Sequence, residues 1–490
     1  MAFIDSTVVN VALPALQTTL HATVVDVQWI VESYSLVLSA LILVGGALGD
    51  RLGRRVIFLS GTGLFAAASF ACGISGSVSQ LIIARSMQGI GAAAMVPGSL
   101  AIISASFDEA NRGRAIGTWS GFTAMTTALG PVLGGWLIEH ASWHWAFLIN
   151  IPLAAAVIAI SLFHIPESRS AEAAKVDWLG AVAAVVGLAG LVYGLLESSI
   201  LGWSSLRVSG SLVLGAVALI LFIYVEKRTP QPMMPLKLFQ SRSFSGANLL
   251  TFLLYSALGI FFFLFPLNLI QVHRYSPTAT GAASMPTILL LFLLSRWSGG
   301  LVDRFGNRRP LIVGPLIAAA GFLLFAVPAV GGSYWTTFFP AFVVLGLGMA
   351  LTVAPLTTVV MNSVGSDHAG TASGINNAIA RAAGVVAIAV LGIAMVQAFA
   401  HRLGILLNHI PLDSSVLRSI QSNLVQLGGL QAPPNLDPTT SSKVRAYVAE
   451  AFVFGFRWIM CICAGLAIAS SWIAFKIIPS APAGSQEGRY

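Results

Sequence analysis

A few ionisable and amide side chains stand inside long apolar stretches of this sequence. Two are acids, Asp5 and Glu32, and two are arginines, Arg85 and Arg381. Loss of water favours the protonated form of a carboxyl group, whereas a neighbouring cation favours its ionised form. An acid in such a setting can therefore take up and release a proton as its surroundings change, and a neighbouring arginine tunes this exchange. An amide on the same helix face can add hydrogen bonds, and the candidate is Asn377, four residues before Arg381.

The composition indicates what surrounds these residues. Of the 490 residues 56% are hydrophobic and only 9% are charged, whereas a soluble protein has about 25% charged residues. So few charges cannot cover the surface of a soluble globule, and the chain is too apolar to be disordered. The composition therefore predicts an all-α polytopic membrane protein.

Apolar runs long enough to cross a membrane, about 20 residues each, recur along the whole chain. The charge-free run from Pro310 to Ser366 alone accommodates two crossings, joined at Gly331-Gly332-Ser333. We predict fourteen transmembrane helices, at 2–20, 28–49, 56–75, 79–106, 113–138, 145–165, 178–197, 208–226, 244–271, 278–302, 310–330, 335–361, 369–400 and 451–478.

The distribution of Lys and Arg predicts the orientation, because cytoplasmic loops carry an excess of them. With the N-terminus inside, the inner connections hold 16 of these residues and the outer ones hold 6. Both termini are therefore predicted to be cytoplasmic, in the inner (cell) membrane. The net charge of +8 follows from this topology and does not indicate nucleic-acid binding.

Each acid and arginine also has a plainer interpretation. Asp5 could reach water at the end of its helix, and Glu32, three residues after Trp29, could belong to the membrane interface. Arg85 could serve only to join two helices by an ion pair. Intramembrane ionisable residues are functional by default, so we favour function for Asp5, and both interpretations stay open for Glu32 and Arg85.

Two similar charged loops indicate an internal repeat. The run DRLGRR, residues 50–55, follows segment 2, and the run DRFGNR, residues 303–308, follows segment 10. Parallel repeats of this kind mark one class of transporter. We therefore predict an N-terminal six-helix bundle at 1–170, an inserted helix pair and inner linker at 171–240, a C-terminal six-helix bundle at 241–478 and an inner tail at 479–490.

The outer connection, residues 401–450, has a pattern of its own. Asp413 could cap a short amphipathic helix whose apolar residues follow at helical spacing up to Leu427. Further upstream, the phenylalanine-rich run 261–265 could line an apolar pocket or face lipid, and the sequence does not decide between the two.

Enzymatic and ATP-driven functions find no support in the sequence. No Gly-Lys dipeptide occurs, so there is no phosphate-binding P-loop. Neither a metal-ligand spacing nor a nucleophile–base pair stands out. We expect no cofactor and no metal, and a monomer whose partners are protons, a small-molecule substrate and the lipid bilayer.

Four motifs, in order along the chain, resemble those of the major facilitator superfamily, and more narrowly its fourteen-helix drug:proton antiporter branch. They are DSTVVNVALP from Asp5, the loop from Gly46 to Arg55, RSMQGIG from Arg85, and GPVLGG at Gly130, Pro131, Gly134 and Gly135. The resemblance covers essentially the whole chain, and the last motif is the one associated with antiporters.

This resemblance implies a proton-coupled exporter of small lipophilic compounds that works by alternating access. Two acids in segments 1 and 2 weakly favour cationic substrates; export or import of one metabolite is the alternative, and a membrane enzyme is less favoured. Proton coupling and substrate binding would involve Asp5, Glu32, Arg85, Gln88, Asn377 and Arg381.

The same resemblance implies a gate in the charged loops, at Asp50, Arg51, Gly53, Arg55, Asp303 and Arg304. Asp50 would accept hydrogen bonds from the N-terminus of segment 13, and by the repeat Asp303 would face segment 5. In the family several apolar residues precede the first acid. Here only four residues precede Asp5, so we expect helix 1 to be short on its inner side.

Overall fold

The structure is a computed structural model that describes residues 1–106, 122–123, 126, 129–169, 177–229, 232, 234–364, 369–410, 412–433 and 436–480. Within these ranges the chain forms helices and connections and no β-strand. The helices of the first third are α1 (Ala2–Thr19), α2 (Val24–Leu52), α3 (Arg54–Gly73), α4 (Val78–Ser106), α5 (129–140), α6 (Trp145–Leu148) and α7 (Asn150–His164).

The rest of the chain continues in the same way. Its helices are α8 (Trp178–Leu201), α9 (Leu206–Arg228), α10 (Arg242–Leu267), α11 (Pro277–Ala283), α12 (Met285–Gly299), α13 (Leu301–Phe305), α14 (Arg308–Phe325), α15 (Tyr334–Thr337), α16 (Phe339–Asn362), α17 (Ala369–Leu407), α18 (Ser414–Ser422) and α19 (Pro438–Ile477). A π-helical turn, Asn268–Val272, extends α10.

Twelve helices among the described residues are long and apolar enough to cross a membrane. They correspond to twelve of the fourteen predicted segments, so the chain is a multi-pass membrane protein. The other two predictions are segment 2–20, which forms α1, and segment 113–138, most of whose first half lies outside the described residues. With 18 residues, α1 is shorter than α2 and α4, which have 29 each.

Short polar residues fix where several helices begin. Thr23 accepts a hydrogen bond from the Asp26 amide while Asp26 accepts one from the Thr23 amide, so a complete capping box starts α2. Ser276 caps α11 and Asp437 caps α19 through one hydrogen bond each, accepted from the amide three residues later. Hydrogen bonds from Thr440 hold the pKa of the exposed Asp437 carboxyl below its usual value.

The helices of residues 2–164 pack mainly on one another, and those of residues 242–477 do the same. Within the first group α4 packs on α2 and α3, and within the second α14 packs on α16 and α19. The two groups meet along a seam where α2 contacts α17 and α1 contacts α10 and α11. The inserted pair α8–α9 packs on itself, and α8 also covers α2 and α17 beside this seam.

The connection between α17 and α19 lies at one end of the helices, which we call the 408–437 face; the opposite end, where α2 meets α3, is the Asp50 face. As predicted, a short helix begins after Asp413. It ends at Ser422, earlier than its apolar spacing predicts, and a 3-10 segment Leu424–Gly429 follows. Leu427 has a φ of 50° there and interrupts the regular helix.

Candidate functional site

Asp5 lies in α1 with its carboxylate entirely inside the protein, at 0% exposure. Three donors from two other helices surround it. Arg85 and Gln88 of α4 donate at 2.5 and 2.8 Å, and Asn150 at the beginning of α7 donates at 3.0 Å. The acid is therefore the centre of a network and does not reach solvent at the helix end.

The Arg85 guanidinium is equally buried, at 1% exposure. Besides Asp5 it donates to Gln88 Oε1 at 2.7 Å and to the Ile30 carbonyl of α2 at 3.2 Å. Its carbon lies 4.3 Å from the centre of the Tyr34 ring, which is a cation–π distance. Every side of the cation is thus occupied by a polar or aromatic group.

Glycines allow α4 to bring these side chains into place. A methyl group at Gly89 would lie 2.7 Å from the Tyr34 carbonyl of α2, and one at Gly91 would lie 2.7 Å from the Phe65 nitrogen of α3. The backbones of α2 and α3 can therefore approach α4 closely. Arg85 and Gln88, three residues apart, share the remaining face of α4 and point at α1.

A buried pair of opposite charges with all hydrogen bonds made can respond strongly to a proton. If Asp5 is protonated, Arg85 keeps its charge and loses its counterion, and a buried unpaired cation is costly. The cation must then find another partner or gain access to water. A proton on Asp5 would therefore leave Arg85 of α4 without its counterion inside the protein.

Sequence reasoning missed three members of this network. Asn150 stands alone among apolar residues in a predicted crossing, and Ser69, which accepts from Gln88 at 2.7 Å, does the same in α3. Tyr34 supplies the ring beneath Arg85. An isolated amide within an apolar run is the feature that could have indicated Asn150.

Glu32 of α2 is just as buried as Asp5. It lies on a different face of α2 from the one that contacts Arg85. It is three residues after Trp29 and four before Leu36, and both pack against α8 and α17. Neither oxygen of Glu32 has a hydrogen-bond partner among the described residues. The contacts of Arg85 in the described chain are with Asp5 and its neighbours, so the arginine is paired with Asp5 and not with Glu32.

Arg381 brings a second cation near the network from α17. The Tyr34 hydroxyl interacts electrostatically with both Arg381 and Arg85. Asn377, predicted to share a polar face with Arg381, is exposed. Its neighbour Asn376 donates to Asn248 and Thr251 of α10, at 3.0 and 2.7 Å.

At the Asp50 face the charged loop is tied to its own half of the molecule. Asp50 accepts from Arg54 at 2.8 Å, and Arg51 is exposed. Gly53 has a φ of 123°, which favours glycine. The contacts of the described residues include no hydrogen bond from the N-terminus of α17 to Asp50, and that bond stays a prediction for the state in which this end is closed.

Glu167, which sequence reasoning missed, completes this loop. Its carboxylate accepts from the amides of Arg55 and Val56, at 3.1 and 3.2 Å, and so caps α3. Arg55 in turn donates to the Leu162 carbonyl at 3.0 Å. The loop therefore joins the beginning of α3 to the end of α7.

The second charged loop repeats one feature of the first. Gly306 has a φ of 75°, so glycines at matching positions of both loops adopt the left-handed region. Arg304 is exposed, and the side chain of Asp303 lies outside the described part of the structure.

The GPVLGG motif lies on the seam between the two helix groups. A methyl group at Gly134 would lie 2.7 Å from Val8 of α1, and one at Gly135 would lie 2.6 Å from the carbonyl carbon of Pro277 at the start of α11. Gly130 packs on α1 in the same way, and Pro131 packs against Gly281 of α11. The small residues of the motif thus let α5 fit tightly between α1 and α11.

Both interpretations of the phenylalanine run were wrong for its main members. Phe261 and Phe265 are buried and stack on each other at 5.2 Å between ring centres. Phe325 and Phe342 pack on both rings. The run forms an aromatic core that joins α10, α14 and α16.

Comparisons with known proteins agree with this architecture. The model of the Major Facilitator Superfamily matches residues 1–388. The chain is 36% identical over 399 residues to the tetracenomycin C resistance and export protein of Streptomyces glaucescens, covering 81% of this chain and 73% of that protein. It is 35% identical to the multidrug resistance protein Stp of Mycobacterium tuberculosis, covering 80% and 73%.

A solved structure has the same fold. A bacterial homolog of the human lysosomal transporter Spinster, in an inward-facing and unoccupied conformation, superposes with a TM-score of 0.63. The superposition covers 97% of this chain and 95% of that one at 17% identity. The chain is therefore a membrane transporter and not an enzyme, and it belongs to the major facilitator superfamily.

Proposed function

We propose that this transporter exports small lipophilic compounds, cations among them, in exchange for protons. It would do so as a monomer by alternating access, without a cofactor, in the cell membrane and with both termini in the cytoplasm. Fourteen crossing helices would form two six-helix bundles, 1–170 and 241–478, with the pair α8–α9 inserted between them. The names of its relatives, which include a lincomycin resistance protein of Streptomyces lincolnensis, support drug-like substrates.

The observation that carries the proposal is the buried pair of Asp5 and Arg85. An exchanger needs a site whose state differs between proton-bound and substrate-bound forms, because only differential binding lets one ligand displace the other. A proton on Asp5 would end its ion pair and leave Gln88, the Ile30 carbonyl and the Tyr34 ring as the partners of Arg85. Return of the proton to water on the other side would restore the pair.

Glu32 would hold substrate cations. It has no counter-charge among the described residues, so a cation or a proton would supply one. It lies where α2, α8 and α17 meet, that is, on the seam between the helix groups. Movement of the seam would therefore change access to this carboxylate, while Asp5 stays enclosed by α4 and α7.

The charged loops would act as the gate at the Asp50 face. In the outward-open state Asp50 would exchange its bond with Arg54 for the N-terminus of α17, where helix dipole and free amides favour an anion. Asp303 would make the matching contact with the segment around residues 113–138. The present contact within one half leaves Asp50 available for that exchange.

Proteoliposomes give the direct test. Purified protein is reconstituted with ethidium as a cationic probe, and a pH gradient is imposed across the vesicle membrane. We expect gradient-dependent movement of ethidium with counterflow of protons, and loss of both when a protonophore is added. Ethidium movement that does not depend on the gradient would contradict proton coupling, and an absence of movement with several lipophilic compounds would favour a single metabolite as substrate.

A further inference from the structure

The inserted helix α8 carries an acid, Glu197, near the end that lies at the 408–437 face. Glu197 is the fourth residue before the last residue of α8, about 6 Å along the helix axis. Trp29 of α2 lies at a similar depth, five residues after the first residue of its helix. The indole N–H of Trp29 donates to Glu197 Oε1 at 3.2 Å. The exchange mechanism proposed above uses neither of these side chains.

The carboxylate of Glu197 has an open side and no counter-charge. Glu197 is only half-buried. Its Oε2 has no hydrogen-bond partner among the described residues and is not among the enclosed polar atoms, whereas both oxygens of Glu32 are enclosed. No lysine or arginine of the described chain forms an ion pair with Glu197. A ligand from outside the protein can therefore reach this carboxylate.

Two aromatic rings accompany this carboxylate. Tyr193 lies one turn before Glu197 on the same face of α8. Its ring centre is 6.1 Å from that of Trp29, with an angle of 49° between the two planes. Both aromatic side chains are half-buried, so part of each is accessible. Aromatic rings beside a negative charge are the arrangement that recognises organic cations, which the ring faces attract.

The bond between α2 and α8 does not by itself require an acid. The amide oxygen of a glutamine accepts a hydrogen bond from an indole as well. A charged side chain within a membrane-spanning segment is more costly than an amide, and Glu197 belongs to such a segment. A carboxylate is favoured at this position if a cation binds there and supplies the missing charge.

We propose that Glu197, Trp29 and Tyr193 form a second binding site, separate from Glu32, for lipophilic organic cations. The carboxylate supplies the counter-charge, and the two rings supply apolar surface and cation–π contact. The inference rests on the proposed function only in that the ligands are taken to be exported cations. It gives the inserted helix α8 a part in ligand binding at the 408–437 face.

Equilibrium binding of tetraphenylphosphonium to the full chain in nanodiscs tests this without transport, with empty nanodiscs as the blank. Every protein tested carries Glu32→Gln, so that the carboxylate of Glu32 does not contribute. In this parent we expect Glu197→Gln to weaken binding about tenfold, the effect of one charge interaction close to water. The matched control is Asp413→Asn, which removes one exposed negative charge from the same face and should leave the affinity unchanged.

Two further variants test the ring contribution. Tyr193→Leu removes one ring and should weaken binding of tetraphenylphosphonium about threefold, as expected for one cation–π contact at an accessible site. Tyr193→Phe keeps the ring and should bind as the parent does. Equal affinities of the leucine variant and the parent would contradict the aromatic part of the site.

The unfolding midpoint separates a lost charge from a damaged fold. Glutamine at position 197 can still accept from Trp29, so Glu197→Gln should unfold at the same temperature as the parent. The proposal is overturned if the parent shows no saturable binding of the cation, if Glu197→Gln binds as tightly, if Asp413→Asn weakens binding alike, or if weaker binding comes with a lower midpoint. Asp5→Asn should leave this binding unchanged, so failure of the exchange mechanism and failure of this site give different results.

Discussion

Asp5 and Glu32 are two acids on neighbouring helices with the same burial and opposite surroundings. Both side chains are 0% exposed. Asp5 accepts three hydrogen bonds, one of them from an arginine, whereas Glu32 has no partner among the described residues. Burial is therefore the same for both, and the difference between them comes from the groups that the adjacent helices present.

Under the proposed function, this difference would separate two tasks of an exchanger. The Asp5 network contains its own counter-charge and lies within one helix group, so it suits a proton that is gained and lost without substrate contact. Glu32 lies at the seam beside the inserted helix α8 and lacks a counter-charge, so it suits a ligand that brings one. The predictions below are directed at this contrast.

The largest expected effect is that of Arg85→Met. It removes the cation and leaves the Asp5 carboxylate buried without its counter-charge, so we expect a loss of about 3–5 kcal/mol in stability. The unfolding midpoint in detergent measures this. The double variant Asp5→Asn with Arg85→Met should recover most of the loss, and a double variant as unstable as the single one would show that the pair is not the cause.

A smaller effect should follow from Asn150→Leu. This change deletes one hydrogen bond to a charged acceptor, for which we expect about 1.5–3 kcal/mol. Proton-driven efflux should fall and its pH profile should shift, because one of three donors to Asp5 is lost. The exposed Asn408, replaced by leucine, serves as the control; equal behaviour of both variants would remove Asn150 from the network.

Glu32→Gln should change ligand binding more than it changes stability. No partner among the described residues is lost, so we expect stability to change by no more than about 1 kcal/mol. Ethidium binding should weaken markedly because the carboxylate is gone, while proton release from Asp5 remains. A large loss of stability with unchanged ethidium affinity would mean that Glu32 is structural.

The smallest effect is expected for Tyr34→Phe. The ring that stacks on Arg85 is kept, and the hydroxyl has no hydrogen-bond partner among the described residues. Stability should change by about 0.5 kcal/mol or less, whereas Tyr34→Ala should cost more because it removes the cation–π contact. Equal losses in the two variants would show that the hydroxyl, and not the ring, supports Arg85.

The sequence predicts the helices and the important ionisable residues more accurately than it predicts the partners of those residues. Twelve of fourteen predicted crossings have counterparts among the twelve spans, because length and apolar composition determine them. The pairing of Arg85 with Asp5 and not Glu32 depends on the face that α4 presents, which glycine contacts with α2 and α3 decide. Asn150 was missed because its partner is 145 residues away in the chain.

The same limit of sequence-based prediction applies to apolar side chains and to loops. Nothing in the run 261–265 distinguishes lipid from an aromatic core, since both favour phenylalanine; the rings of α14 and α16 make the difference. In the outer connection the apolar spacing continued past the end of α18. The helix ends at Ser422, and Gly428 of the following 3-10 segment packs against Gln271.

Proton release on substrate binding tests the central claim most directly. Purified protein in weakly buffered detergent receives ethidium, and a pH-sensitive dye follows the protons set free, in the wild type and in Asp5→Asn. We predict less release per bound ethidium from Asp5→Asn than from the wild type, because only a proton displaced from Glu32 remains, and we predict that Glu32→Gln releases protons once ethidium is raised enough to bind. Undiminished release from Asp5→Asn would contradict the assignment of Asp5 as the coupling acid.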